Sequence, residues 1–327
     1  MQDALGRPLE TLRVSITDRC NFRCVYCMPK ERFGADHAFL ERRDILTLEE
    51  TARLAAVFAT LGVRTVRITG GEPLVRRNVE HLVELLAAIP GLEVALTTNG
   101  ALLAQKAEVL SRAGLGRVNV SLDSVDDATF RALNDVDFPV ARVLAGIEAA
   151  SAAGLPVKVN AVVKRGVNDD GLVALAARFR WSGHPLRFIE YMDAGTTNGW
   201  RLEDVVTAAE IVQRVGELWP LEPLGRSGTA LRFRYRDGAG EIGVISSVTQ
   251  PFCGGCSRAR ISAEGHLYTC LFGGPGHDLR GPLRAGATDD DLAGLIRDAW
   301  TARTDRYSES RPSEGRRPKP EMSYIGG

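Results

Sequence analysis

The chain has 327 residues, of which 44% are hydrophobic, so it is long enough to bury the core of one large globular domain, with or without an appendage. Its 41 Lys and Arg residues balance 41 Asp and Glu residues, which argues against a protein that binds nucleic acid through an overall positive field. No apolar run reaches the roughly 18 residues of a membrane span, and residues 1–10 lack the hydrophobic stretch of a signal peptide, so we expect a cytoplasmic protein without a membrane partner.

Six units of one strand and one helix are predicted between residue 11 and about residue 220. Short β-type runs alternate there with helical patterns, which is typical of a parallel sheet wound with helices. The strands are predicted at residues 12–16, 65–69, 94–97, 118–122, 157–162 and 187–191. The first long helix begins at a capping box, Thr47 to Glu50, and ends before Gly62. The other helices are predicted at residues 79–88, 103–113, 141–153, 172–179 and 208–218.

One face of the predicted sheet is polar. Arg13 and Ser15 alternate with apolar residues in the first strand, and Arg67, Asn119 and Lys158 do the same in later strands. Helices on the apolar face would leave the polar face lining a curved, open barrel. The predicted fold is therefore α/β, an incomplete (βα)6 TIM-like barrel of parallel strands. A doubly wound open sheet is the competing architecture, which periodicity does not exclude.

Three cysteines with the spacing C-x3-C-x2-C follow the first strand. Cys20, Cys24 and Cys27 are one thiol short of a tetrahedral zinc site and odd in number for disulfides. Three thiolates suit a four-iron cluster that keeps one iron open for a ligand. The alternative is a structural zinc loop that takes its fourth ligand from a distant histidine.

Other polar or glycine-rich segments also follow strand ends. Residues 70–73, Gly-Gly-Glu-Pro, come after the second strand, residues 97–100 end and follow the third, and residues 121–123 end the fourth. The carboxyl ends of barrel strands meet at one mouth. The sequence therefore predicts that these segments and the cysteine loop surround one site.

After about residue 220 the pattern changes to short strands joined by glycine-rich turns, so we divide the chain into a barrel, residues 1–220, and a β-rich C-terminal region, residues 221–327. The strands are predicted at residues 231–235, 241–248, 258–262 and 266–269, and a helix at residues 290–304. Cys253, Cys256 and Cys270 supply a second set of three thiols, which favours a second cluster. A zinc site completed by His266 or His277 is the alternative.

Two of these motifs resemble the signatures of the radical S-adenosylmethionine superfamily: the loop from Cys20 to Cys27, and the GGEP motif at residues 70–73. Along essentially its whole length the chain is similar to one family of that superfamily, the molybdenum cofactor biosynthesis A proteins, which are GTP 3′,8-cyclases. The similarity is carried by residues 12–15, 67–73 and 253–260, by Cys270 and by the final Gly326 and Gly327.

The resemblance implies a radical S-adenosylmethionine lyase that converts GTP to (8S)-3′,8-cyclo-7,8-dihydroguanosine 5′-triphosphate, the first step of molybdenum cofactor biosynthesis. It implies two 4Fe–4S clusters with three cysteine ligands each, S-adenosylmethionine bound to the first and the guanine of GTP to the second. A low-potential electron donor such as a flavodoxin or ferredoxin and a downstream pterin-forming enzyme follow as partners. A homodimer is compatible with the sequence, which does not fix the oligomeric state.

The resemblance also assigns site residues. Contacts to S-adenosylmethionine are expected from Tyr26, Gly71, Glu72, Ser121 and Met192. Contacts to GTP are expected from Arg13, Arg67, Thr97, Lys158, Arg258, Ala259 and Arg260, with Arg187 as a further candidate. A catalytic role is expected for Gly326 and Gly327, because glycine backbone can approach a ligand closely once the apolar residues before it have docked.

Each assignment has an alternative. The basic residues of the strands could pair with Asp123 or Glu190 inside the protein, and the arginines near Cys256 could form a solvated face. Tyr26 and Met192 could serve packing alone, the glycines could serve turn geometry, and most chain ends fray. Two other functions stay open: a peptide-modifying radical enzyme with an auxiliary cluster, which commonly carries more C-terminal cysteines, and a non-catalytic sensor that holds a metal cluster.

Overall fold

The structure is a computed structural model that describes residues 1–311 and 319–326. Its strands are β1 (Thr11–Ser15), β2 (Thr65–Thr69), β3 (Glu93–Thr98), β4 (Arg117–Ser121), β5 (Val157–Val163), β6 (Leu186–Glu190), β7 (Leu221–Ser227), β8 (Ala230–Tyr235), β9 (Glu241–Ile245), β10 (Arg258–Ile261), β11 (His266–Tyr268) and β12 (His277–Asp278). Its helices are α1 (Leu48–Thr60), α2 (Val79–Ala87), α3 (Leu103–Arg112), α4 (Asp127–Asn134), α5 (Val140–Ala152), α6 (Leu172–Phe179), α7 (Ala208–Gly216), α8 (Arg280–Arg284), α9 (Asp289–Thr301), α10 (Tyr307–Ser310) and α11 (Met322–Ile325).

Strands β1 to β6 form the parallel barrel wall that the sequence predicts. Each strand pairs in parallel with the next one along the chain. A doubly wound sheet would instead reverse its strand order at a switch point. The α/β barrel prediction is therefore confirmed, and the doubly wound alternative is wrong.

The burial of the strands explains why the chain folds this way. Leu12, Val66 and Val118 are fully buried on the apolar face, whereas Arg13 and Arg67 lie on the opposite face. Burying apolar side chains under the helices is the main favourable term in folding. The polar face is left to line the interior of the barrel.

The predicted capping box is present at the start of α1. Thr47 Oγ1 accepts a hydrogen bond from Glu50 N at 3.0 Å, and Glu50 Oε2 accepts one from Thr47 N at 2.8 Å. These bonds satisfy two backbone donors that a helix start leaves free. The helix ends as expected before Gly62, whose φ is 108°.

Helix α4 and strand β7 were not predicted, because neither shows a long run of regularly spaced apolar residues. Helix α4 has eight residues and buries three of them, and β7 is almost wholly exposed. The predicted strand at 241–248 ends early, at Ile245, because Val248 N donates instead to Glu190 Oε2 at 2.8 Å. The other predicted boundaries are matched or shift by at most three residues.

The C-terminal strands extend the same sheet at both of its edges. Strand β10 pairs in parallel with β1, and β9 pairs in parallel with β6, giving the order β12-β11-β10-β1-β2-β3-β4-β5-β6-β9-β8-β7. Because Arg258 at the start of β10 pairs with Thr11 at the start of β1, the loop before β10 lies at the amino ends of the barrel strands, opposite the first cysteine loop. Among the helices that the structure describes, none is long and apolar enough to cross a membrane.

Candidate active site

A cavity of about 480 Å³ runs through the barrel, lined from the carboxyl ends of the strands, at Gly71 and Thr98, to their amino ends, at Thr11 and Arg117. Both sets of cysteines line it, Cys20, Cys24 and Cys27 from one side and Cys253, Cys256 and Cys270 from the other. The other predicted residues on its wall are Arg13, Tyr26, Arg67, Gly71, Glu72, Thr97, Ser121, Lys158, Arg187, Met192, Arg258 and Arg260. The first cysteine loop and the segments that follow β2, β3 and β4 meet at the carboxyl ends of the strands, as predicted, whereas the second cysteine set reaches the cavity from the amino ends.

Two glycines of the GGEP motif hold the first cysteine loop against the end of β2. Gly71 N donates to Thr17 O at 2.8 Å, and Glu72 N donates to Arg19 O at 2.9 Å. A β-carbon on Gly71 would lie 2.3 Å from Arg19 O, and one on Gly70 would lie 2.6 Å from Thr17 O. Glycine is required here because the two backbones touch.

Glu72 is a buried brace between two loops. Its carboxylate accepts hydrogen bonds from Leu74 N at 2.9 Å, Thr98 Oγ1 at 2.7 Å and Asn99 N at 2.7 Å. Burial raises the pKa of Glu72 to about 7, although these three bonds oppose the shift. The sequence predicts a ligand contact for Glu72, and the structure adds this bracing role.

Tyr26 and Asp123 form a second polar contact on the wall. The Tyr26 hydroxyl donates to Asp123 Oδ2 at 2.5 Å, and Asp123 Oδ1 accepts from Val162 N at 2.8 Å. Burial raises the pKa of Asp123 to about 6. Ser121 and Met192 line the cavity beside this pair, so Tyr26 and Met192 are wall residues and not core packing.

The basic residues lie side by side across the barrel interior. In the sheet register Arg13 is directly opposite Arg67 on one side and Arg260 on the other. Like charges in directly opposed positions destabilise a sheet. Within residues 1–311 and 319–326, no carboxylate lies within ion-pairing distance of these three arginines or of Lys158. No ion pair within the described residues therefore offsets the positive charge of these side chains.

Internal ion pairing was the alternative role for this cluster, and the structure does not support it. Asp123 is bonded to Tyr26 and Val162. Glu190 accepts from three backbone amides, Ala208 N, Val248 N and Thr249 N, at 2.8 to 2.9 Å. Both carboxylates are thus engaged away from the basic residues.

The electrostatics of the cavity favour a polyanion. Burial and the neighbouring arginines lower the pKa of Arg13 well below its ordinary value, and burial also lowers the pKa of Arg67 and Arg260. Burial and Arg187 lower the pKa of Lys158 to about 8. The buried Nε atoms of Arg13, Arg67 and Arg260 have no hydrogen-bond partner in the described chain. A bound anion with several oxygens would satisfy these donors and remove the repulsion.

The second cysteine set is tied to the basic cluster. Arg258 Nη2 donates to Cys256 Sγ at 3.3 Å. Burial raises the pKa of Cys256, but Arg258 and Arg303 outweigh it and bring the value down to about 6. Arg258 therefore faces a thiol and the cavity, not a solvated surface.

The alternative to iron–sulfur clusters, one zinc ion at each cysteine set, would need a fourth ligand at each set. Over the part of the chain that the structure describes, no group of three or more His, Cys, Asp or Glu side chains is arranged to hold one metal ion. His266, a candidate fourth zinc ligand, has its Nδ1 3.1 Å from Glu264 Oε1. In an iron–sulfur cluster the thiolates bind different irons and stand further apart than around one zinc.

The C-terminal segment reaches the same cavity. Met322 and Ser323 line it, and Gly326 lies so close to Thr69 that a β-carbon would be 1.9 Å from Thr69 Oγ1. Gly326 also has a φ of 71°, which favours glycine. Gly327 lies outside the described residues.

Hydrogen bonds and an ion pair fasten this segment to the barrel. Glu321 accepts from Thr196 N at 2.9 Å and from Thr197 Oγ1 at 2.9 Å. Lys319 Nζ lies 2.7 Å from Asp193 Oδ2. The predicted docking of the segment is therefore present up to Gly326.

Some site residues differ from the prediction. Ala259 does not line the cavity, because it points to the opposite face of β10 from Arg258 and Arg260, where it is fully buried. Asn99 and Asp123 line the cavity within the segments 97–100 and 121–123 that were predicted to surround it, although neither was assigned a ligand contact; four further wall residues were missed: Arg117, Asn160, Phe252 and Arg303. The alternation of β4 could have indicated Arg117, which shares a face with Ser121. Phe252 and Arg303 had no local signal, since only tertiary pairing brings them to the barrel.

Comparisons with known proteins agree with this geometry. Residues 14–179 match the model of the Radical SAM superfamily, and residues 184–309 match Molybdenum Cofactor Synthesis C. A relative from Acidothermus cellulolyticus named GTP 3′,8-cyclase is 51% identical, with 100% of this chain and 99% of its own length covered. Relatives of the same name from Xanthomonas campestris pv. campestris and Staphylococcus epidermidis are 50% and 44% identical over 100% of this chain, covering 97% and 99% of their own lengths.

Solved structures support the fold. Streptococcus suis SuiB matches 98% of this chain and 76% of its own length, with a TM-score of 0.61 and 15% identity. Its complex with S-adenosylmethionine matches 65% of this chain and 47% of its own length, with a TM-score of 0.53 and 18% identity. At such identity the likeness concerns the fold alone. The cysteine loops, the GGEP motif and the full-length relatives together show that the chain belongs to the GTP 3′,8-cyclase family of the radical S-adenosylmethionine superfamily.

Proposed function

We propose that this chain converts GTP to (8S)-3′,8-cyclo-7,8-dihydroguanosine 5′-triphosphate, the first step of molybdenum cofactor biosynthesis. One observation carries the proposal: two sets of three thiols line opposite ends of a single cavity, and the wall between them carries a cluster of basic residues without an ion-pair partner in the described chain. A radical source and a bound nucleotide must share one space, and this cavity supplies it.

Each cysteine set would hold one 4Fe–4S cluster, Cys20, Cys24 and Cys27 the first, and Cys253, Cys256 and Cys270 the second. When bound, the first cluster supplies the electron that cleaves S-adenosylmethionine to the 5′-deoxyadenosyl radical, and the second holds the guanine of GTP. Cys20 Sγ also accepts from Phe22 N at 3.4 Å, which helps to orient that thiol.

We assign the remaining wall residues by the side of the cavity they occupy. Tyr26, Gly71, Glu72, Ser121 and Met192 surround the first cysteine set and would contact S-adenosylmethionine. Arg13, Arg67, Thr97, Lys158, Arg258 and Arg260 would contact GTP, with Arg187 beside Lys158. Ala259 can contribute only through its backbone. Thr97 Oγ1 is buried without a partner in the described chain, as expected of a group that bonds a ligand.

The basic residues would orient GTP for reaction. Several cationic groups at fixed positions on rigid strands hold a triphosphate in one place, and this places the ribose between the two cysteine sets. Gly326 would close the remaining side near Thr69. We retain the catalytic role expected of Gly326 and Gly327, because backbone without a side chain can approach the reacting groups closely.

Partners and location follow from the same chemistry. The reaction needs a low-potential electron donor, such as a flavodoxin or ferredoxin, and a downstream enzyme that builds a pterin from the cyclised nucleotide. We place the protein in the cytoplasm, where GTP and reductant are available. We also retain the division into a barrel, residues 1–220, and a C-terminal region, residues 221–327.

The test is anaerobic incubation of the reconstituted chain with GTP, S-adenosylmethionine and dithionite. We expect 5′-deoxyadenosine and a cyclised nucleotide in equal amounts, identified by chromatography and mass spectrometry. A peptide-modifying enzyme or a sensor would form no cyclised nucleotide from GTP. Metal analysis that finds zinc and no iron in protein purified anaerobically would also contradict the proposal.

A further inference from the structure

Three charged side chains are buried beneath the second cysteine set. The side chains of Asp3, Arg7 and Arg303 are at most 2% exposed. Arg7 Nε donates to Asp3 Oδ2 at 2.6 Å, and Arg303 Nη1 lies 3.4 Å from the same oxygen. Two guanidinium groups thus share one carboxylate. Burial of charge is costly unless its hydrogen bonds are satisfied, so their other partners indicate what the network does.

Both arginines bind the backbone of the second cysteine loop. Arg7 Nη1 donates to Cys253 O at 2.9 Å, and Arg303 Nη1 donates to Cys256 O at 2.7 Å. The loop itself is a single turn, with Cys256 N donating to Cys253 O at 3.2 Å. The network therefore fixes the carbonyl of each of the two cysteines from below.

Asp305 extends the network to the third cysteine. Its Oδ2 accepts from the hydroxyl of Thr269, the residue before Cys270, at 2.5 Å. The same oxygen is 3.5 Å from Arg303 Nε, and Asp305 O accepts from Arg7 Nη1 at 2.7 Å. All three segments that carry the second cysteine set are thereby joined.

The amino terminus is folded to present Asp3. Asp3 Oδ1 accepts from Leu5 N and from Arg7 N, both at 2.9 Å, and Leu9 N donates to Met1 O at 3.1 Å. At the first cysteine set the comparable bond is local, from Arg23 within the loop to Cys20 O at 2.8 Å. The second set instead relies on residues about 250 and about 50 positions away along the chain.

We propose that Asp3, Arg7, Arg303 and Asp305 are positioning residues, a buried clamp that fixes the second cysteine set in the geometry a cluster requires and so places the base of GTP. The inference rests on the proposed second cluster. Arginine suits the task because its fork of donors bonds a carboxylate and a carbonyl at fixed angles, which the single ammonium of lysine does not do.

The experiment uses Arg7→Lys and Arg303→Lys in the full chain. Arg214→Lys is the matched control, because Arg214 also donates to a carbonyl, Asp169 O at 3.2 Å, and to a carboxylate, Glu210 Oε1 at 2.5 Å, but lies on α7. Each variant is also made in a background of Cys20→Ala, Cys24→Ala and Cys27→Ala, so that only the second set can bind a cluster. If a clamp variant does not fold, the double variant Asp3→Asn with Arg7→Gln removes both charges together.

We expect the clamp variants to lose iron from the second set to a chelator about tenfold faster or more, as is usual when groups that orient metal ligands are changed. The electron paramagnetic resonance spectrum of that cluster and its change with GTP should also alter. Cleavage of S-adenosylmethionine at the first set, measured without GTP, should stay within about twofold of the parent, and Arg214→Lys should behave as the parent. Iron release and spectra equal to the control would overturn the proposal, as would equal losses at both cysteine sets.

These readouts separate the clamp from the proposed function. Iron release and the resonance spectrum require no turnover of GTP. If the clamp variants show the selective effect but the chain never cyclises GTP, the proposal of a clamp is supported and the proposed function is contradicted. If the chain cyclises GTP but the clamp variants show no selective effect, the proposed function is supported and the proposal of a clamp is contradicted.

Discussion

The arginines and the lysine on the cavity wall repel one another, which disfavours the folded state. Arg13 stands between Arg67 and Arg260 in the sheet, and burial removes the water that would screen their repulsion. A guanidinium keeps its proton in proteins, so the lowered pKa reflects repulsion among charges that all remain in place. A bound triphosphate would relieve this repulsion, and the relief would contribute to the binding free energy of GTP.

Replacing Arg67 or Lys158 by methionine should weaken GTP binding by about ten- to a hundredfold, because one charge-assisted hydrogen bond is worth roughly 1.5–3 kcal/mol. Guanosine, which lacks the phosphates, should lose far less affinity. Lys106→Met is the control, since Lys106 is a half-buried lysine that pairs with Glu80 at 3.0 Å. Calorimetric titration measures all four proteins, and equal losses for GTP and guanosine would show that Arg67 and Lys158 are structural.

Lys158 should also make GTP binding depend on pH. Its pKa of about 8 in the folded chain is below its ordinary value of 10.5, so it carries its charge only below about pH 8. GTP affinity should fall as the pH rises from 7 to 10, and the fall should be smaller in Lys158→Arg, which stays charged. The free energy of unfolding, measured without GTP, should instead rise with pH, because the unfolded chain binds more protons than the folded chain between about pH 8 and 10.5. Identical pH profiles of GTP affinity for the two proteins would exclude Lys158 from the phosphate site.

At the scale of elements, the GGEP turn and the first cysteine loop act as one packed unit. Gly71→Ala should force them apart, because the new β-carbon would lie 2.3 Å from Arg19 O. Overpacking of this kind costs about 1–3 kcal/mol, and here it would displace the cysteines. We expect less iron in the first set and weaker binding of S-adenosylmethionine. Gly294→Ala on α9, where a β-carbon meets no atom within 4 Å, is the control. Normal iron content in Gly71→Ala would refute the packing argument.

The C-terminal segment is the second element whose position matters. Glu321 and Lys319 fasten it to the end of the barrel, and Gly326 touches Thr69. Deleting Gly326 and Gly327 should leave both clusters and the affinity for GTP nearly intact but slow cyclisation by about a hundredfold, because a small misplacement of reacting groups has an effect of that order. A single-turnover assay, beside iron analysis and GTP titration, measures this. An unchanged rate of cyclisation would show that Gly326 and Gly327 have no role in the reaction.

At the scale of the whole molecule, the sheet explains how much could be predicted. The alternation along single strands was enough to place Arg13, Arg67 and Lys158 on the face that lines the barrel. The position of the first cysteine loop could be predicted because it follows the end of a strand. Arg303 and the buried clamp could not be predicted, since they depend on β10 joining the edge of β1, a pairing between segments more than 240 residues apart. The missed strand β7 is likewise held by its partner β8 and not by its own pattern.

The central claim is that both cysteine sets act on one GTP molecule in one cavity, and 3′-deuterated GTP tests it most directly. The chain should transfer deuterium from ribose C3′ to 5′-deoxyadenosine while the cyclised nucleotide forms. Cys24→Ala should form neither product, and Cys256→Ala should form only undeuterated 5′-deoxyadenosine, because S-adenosylmethionine is still cleaved but GTP is not placed. Undeuterated 5′-deoxyadenosine from the parent chain, or full cyclisation by Cys256→Ala, would contradict the account.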